Sequence, residues 1–130
     1  MDARVLIGMT LSMLALDIAW LTLRNGSHQA LFQSIQGAPI QPRILPALLI
    51  YILIPVAVYL VAVKDSFDQK ETLQTAALVG FFLYAFYDLT NYATFLNWTL
   101  SMTVTDIAWG TALCTVGGLV GFHLKNRVSL

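Results

Sequence analysis

The chain has 130 residues, of which 58 % are hydrophobic and 11 % charged, with seven Lys+Arg against seven Asp+Glu. A soluble domain carries about 25 % charged residues and leaves much of its area in water, so this composition, at a mean hydropathy of +0.72, excludes a soluble globule and a disordered chain. A balanced charge gives no field to hold a phosphate backbone, which excludes a nucleic-acid partner, and the single cysteine, Cys114, excludes an intrachain disulfide and a Cys-based metal cage. An all-α protein in contact with the lipid bilayer remains.

Four stretches reach the ~20 mostly apolar residues that a spanning helix needs, at about 4–23, 44–63, 72–95 and 102–124. The first could be taken for a signal peptide. It carries Asp17 in its core, lacks a small-residue cleavage site and is followed by Arg24, so it is expected to be a retained helix. The link from Arg24 to Arg43 is the longest. Ser27 is a candidate N-cap there, Ala30, Leu31 and Ile35 fall at helical spacing, and Gly37, Pro39 and Pro42 stop any helix. A short helix lying at the interface is expected there, with an irregular loop as the alternative.

The second span has no charge, with Pro46 in its first turn and Pro55 at mid-span, where a bend is expected. Tyr51, Pro55 and Tyr59 share one of its faces. A charged turn, Lys64 to Glu71, leads to the third span, and a short link with Asn97 and Trp98 leads to the fourth. Trp98 is expected in an interfacial aromatic belt. Gly110, Cys114 and Gly118 follow at four-residue steps in the fourth span, spacing that lets backbones approach closely in a membrane. That stripe serves either an internal contact or a homo-oligomer; the sequence leaves both open. The expected architecture is a single four-helix membrane bundle with short loops. Arg4, Lys64, Lys70, Lys125 and Arg127 fall on one side and only Arg24 and Arg43 on the other, which predicts an inner-membrane protein with both termini cytoplasmic.

Three acids fall inside spans: Asp17, Asp88 and Asp106. A charge at the centre of a membrane helix costs about 2.5–3.5 kcal/mol on insertion scales, and such groups face protein or water. Counting ~1.5 Å per residue brings all three into the outer half of the bilayer. Trp20, Tyr84, Asn91 and Trp109 lie at three- or four-residue spacing from these acids and complete the candidate cluster. Trp and Asn donors are expected to hydrogen-bond the carboxyls, and mutual repulsion predicts that the three do not all ionise together. Each acid also has a structural reading: Asp17 as partner of Arg24 or Arg43, Asp106 as a helix-start residue, and Asp88 as a packing device. Asp88 has no basic residue nearby in sequence and is the strongest functional candidate. The tetrapeptide Asp17-Ile18-Ala19-Trp20 recurs as Asp106-Ile107-Ala108-Trp109 and reads as a shared local device. His28 and His123 are isolated and no phosphate loop is visible, so neither a metal nor a cofactor is expected.

The segments Leu16-Asp17-Ile18-Ala19-Trp20-Leu21, Arg43-Ile44-Leu45-Pro46-Ala47-Leu48, Tyr87-Asp88-Leu89-Thr90-Asn91-Tyr92-Ala93-Thr94 with Trp98, and Asp106-Ile107-Ala108-Trp109-Gly110 resemble a family of small bacterial membrane proteins catalogued as domain of unknown function 2177. The resemblance covers nearly the whole chain. It implies a multi-pass bacterial membrane protein and brings no activity with it. From the residues, the leading functional reading is a proton- or cation-linked transporter built on the carboxylate cluster. The alternatives are a membrane-embedded enzyme or accessory factor acting on lipids or other apolar small molecules, with Asp88 as acid or base, and a structural or assembly protein whose acids only lock helix packing.

Overall fold

The computed structural model describes residues 1–128; Ser129 and Leu130 lie outside the described residues. Five helices follow in order: α1 (Ala3–Leu23), α2 (Asn25–Gln36), α3 (Ile44–Val58, continued by a π-helical turn over Tyr59–Val63), α4 (Gln69–Thr94) and α5 (Leu100–Val128). The segments Ala3–Leu23, Ile44–Val63, Gln69–Thr94 and Leu100–Arg127 are long and apolar enough to cross a membrane. The chain is an all-helical, four-span bundle with one additional short helix.

Local capping sets the boundaries. Asp2 accepts from the Arg4 N–H at 2.9 Å and opens α1. Asp68 accepts from the Glu71 N–H at 3.1 Å, so α4 begins ahead of residue 72, where hydropathy alone had put it. Thr99 does the same for α5 through the Met102 N–H at 3.0 Å. Asp106 therefore stands in the second turn of α5 rather than at its cap.

The segment after α1 is a helix, but Ser27 does not cap it. Arg24 closes α1 with its N–H on the Trp20 carbonyl, 2.9 Å, and its own carbonyl accepts from His28 N–H at 3.0 Å. No extended residue separates the two helices, and Ser27 falls inside α2. The helix ends at Gly37, whose φ of 71° lies in the left-handed region open to glycine.

Small residues on α5 bring it against α4. A Cβ on Gly118 would stand 2.6 Å from the Ala76 Cβ, and one on Gly80 would stand 2.5 Å from the Gly110 carbonyl oxygen and 2.8 Å from the Cys114 Cβ. Gly110, Cys114 and Gly118 thus form an internal face of this chain. On its other side α5 receives α1, with Met13 and Met9 sulfurs against Gly117 and Gly121. With 39 % of its apolar window buried, against 17 % for α1 and for α3, α5 is the central helix.

At one end of the bundle Lys125 ties down the chain where it leaves the π turn. Its Nζ donates to the Val63 carbonyl at 2.8 Å and to that of Ser66, and lies over the Phe67 ring at 5.3 Å. At the other end α2 folds back over the spans. Leu31 packs on Trp98 and Met102, Phe32 meets Trp98 edge-on at 5.8 Å, and Asn97 Nδ2 donates to the Ser34 carbonyl at 2.8 Å. Trp98, 4 % exposed, is therefore a core residue beneath α2 and not a member of a surface aromatic belt.

Candidate functional site

The three acids lie at one level. Each stands six residues from the end of its helix that is nearest α2: Asp17 from Leu23, Asp88 from Thr94 and Asp106 from Leu100. At ~1.5 Å per residue that is a depth of ~9 Å.

Their surroundings differ. Asp17 is fully engaged: the Tyr51 hydroxyl donates to its Oδ2 at 2.7 Å and Trp109 Nε1 donates to its Oδ1 at 2.9 Å. Its partners are neutral donors from α3 and α5, a tryptophan among them, and not Arg24 or Arg43 of the alternative ion-pair reading. Arg24 instead lies over the Trp20 ring at 5.5 Å. Asp88 is completely buried, and no N–H or hydroxyl group donates to either of its oxygens. The group that it faces is another carboxyl, that of Asp106. Asn91, expected as a donor to this pair, does not donate to Asp88.

The repeated tetrapeptide explains how the two halves meet. The α1 and α5 copies come together with Trp20 stacked on Trp109, centroids 4.6 Å apart and planes 3° from parallel. The relation is broken at the polar atoms. Trp109 reaches across to Asp17, whereas Trp20 Nε1 is buried without an acceptor. Asp106, which the symmetry would give to Trp20, belongs to Asp88. Tyr84 fills the space between, its ring against Gly110, where any side chain would collide with it.

These groups wall a cleft of ≈ 720 Å³, within the ≈ 300–1,000 Å³ usual for small-molecule sites. Asp17 and Asp106 stand on its walls, with Trp20, Trp98, Tyr84, Tyr87 and Phe32 as aromatic faces. Asn25, His28 and Gln29 of α2 close the end, and His28 Nδ1 is engaged with the Arg24 carbonyl at 2.9 Å. Leu53 of α3 and Leu83 of α4 line the rim at 60 % and 42 % exposure, so the cleft opens sideways between these two helices. A smaller pocket of ≈ 200 Å³ adjoins it and shares Asp17, Ile50, Ile54 and Tyr84. Among the described residues no group of His, Cys, Asp and Glu has the geometry to hold a metal ion.

A family model described as "Predicted membrane protein (DUF2177)" matches residues 3–123. The chain belongs to this family. No curated protein sequence and no solved structure matches it. The match runs through all the segments that form the cleft, from the Asp17 helix to the Asp106 helix.

Three features of the cleft escape sequence reading. Tyr51 carries a signal, since a tyrosine hydroxyl at mid-span needs a partner in lipid, but nothing local says that the partner is Asp17. Trp98 and the polar residues of α2 come to the site only because α2 folds back over the bundle. The choice of Asp17, rather than Asp106, as acceptor for Trp109 is set by the rotation of α5.

Proposed function

We propose that the chain is a proton- or cation-linked transporter of the bacterial inner membrane, a single domain with both termini in the cytoplasm, whose working groups are Asp88 and Asp106 beside the cleft. One observation carries this reading. Asp17 shows how the fold satisfies a carboxyl within a span, with two donors at 2.7 and 2.9 Å. Asp88 receives none, although an unpaired buried polar group is costly. Two facing carboxyls in a low dielectric are most cheaply held with one proton between them. A positive charge arriving beside Asp106 can replace that proton, so one cation enters as one proton leaves and the net charge of the site is unchanged. The five-to-two asymmetry of Lys and Arg supports the orientation, which puts the cleft in the outer half of the bilayer.

The test uses the full chain in proteoliposomes with an imposed pH gradient and an internal pH-sensitive dye. Sodium, potassium and tetraphenylphosphonium are added in turn. At least one is expected to dissipate the gradient saturably, and Asp88→Asn, which keeps the shape of the side chain, is expected to abolish that response. Dissipation by none of the three, or an equal response from Asp88→Asn, overturns the reading.

A further inference from the structure

We infer that the cleft takes a lipophilic organic cation, with Asp106 as its charge partner and the aromatic and aliphatic lining as its walls. This names the solute class for the transport reading above and rests on it. Three independent features point the same way. First, the lining carries two carboxyls and, among the described residues, neither Lys nor Arg. Arg24 lies over the Trp20 ring and not on the lining itself. Second, the remaining wall is aromatic and aliphatic, which suits a large apolar body beside the charge. A small inorganic ion would leave most of ≈ 720 Å³ unused and would have few oxygens to replace its hydration shell. Third, the rim at Leu53 and Leu83 faces lipid, so entry is lateral and selects molecules that dissolve in the bilayer.

Proton competition follows from the same arrangement. The groups facing Asp106 are Asp88, Tyr84 and Tyr87 of α4. Across the cleft stand Asp17 of α1, with Tyr51 of α3 bonded to it, and His28 of α2. Arg24 lies behind Trp20. Falling pH fills the carboxyl pair with protons, which opposes a cation.

The experiment compares two probes of one shape and opposite charge, tetraphenylphosphonium and tetraphenylborate, by equilibrium binding to the full chain in detergent. Tetraphenylphosphonium is expected to bind saturably and at least roughly tenfold more tightly than the borate, the factor that ~1.4 kcal/mol supplies. The preference is expected to shrink as pH is lowered, to be lost in Asp106→Asn and to return in Asp106→Glu. The wild-type comparison needs no variant to fold. Equal binding of the two ions, or tighter binding of the borate, overturns the inference. So does a gradient dissipated by sodium or potassium while tetraphenylphosphonium fails to bind, although transport then stands. Saturable, charge-selective binding without gradient dissipation supports the inference and overturns transport.

Discussion

Asp17 and Asp88 show two fates of a carboxyl in a membrane span. Asp17 is tied to Tyr51 and Trp109, so it joins α1 to α3 and α5 at one point. Hydrogen bonds of this kind in membrane bundles contribute ~0.6 kcal/mol on average and up to ~1.7 kcal/mol. Tyr51→Phe is therefore expected to lower stability by about 1 kcal/mol in a detergent unfolding titration. In an Asp17→Asn background the same change is expected to cost less, because the acceptor charge that strengthens the bond is gone. Equal costs in the two backgrounds would show that Tyr51 acts by packing alone. Asp88 makes no such bond and faces Asp106. Removing its charge by Asp88→Asn is expected to leave the fold intact while ending the proposed exchange. The sequence announces all three acids, since an acid in an apolar run is conspicuous, but the donors of Asp17 come from residues 34 and 92 positions away and carry no local mark.

Among the helices, α5 sets the geometry of the rest. Its small residues let α4 approach until a Cβ on Gly118 would meet the Ala76 Cβ at 2.6 Å. Gly118→Leu forces these backbones apart and is expected to destabilise by about 1–3 kcal/mol, read as a lower midpoint of thermal unfolding in detergent. An unchanged midpoint would mean that α4 slides without loss. The four-residue step of Gly110, Cys114 and Gly118 is legible in the sequence as a close-packing face, but not the helix that it meets. The opposite holds for α2. Its stop at Gly37 follows from local chemistry, whereas its start at Asn25 depends on the sharp junction at Arg24. Its role as the roof of the cleft depends on Asn97 and Trp98, which the chain reaches about sixty residues later.

For the whole molecule, orientation in the bilayer is the first quantity to measure. Lys64 and Lys125 meet at one end, and α2 covers the other. The Lys and Arg bias predicts that a reporter fused at Gln36 is active only on the periplasmic side and one fused after the last residue only in the cytoplasm. The reverse pattern would move the cleft to the inner half of the membrane and with it the direction of the proposed exchange. Span number, helix class and the common level of the three acids are properties of the sequence itself. Hydropathy and charge asymmetry act residue by residue, and ~1.5 Å per residue turns position into depth. Only the tertiary structure decides which carboxyl is satisfied and which is left facing another. In water an amphipathic stripe marks the inner face of a helix. In a bilayer the lipid and the core are equally apolar, so the rotation of each span is written in close contacts such as Gly110 against Tyr84 rather than in the pattern of its own residues.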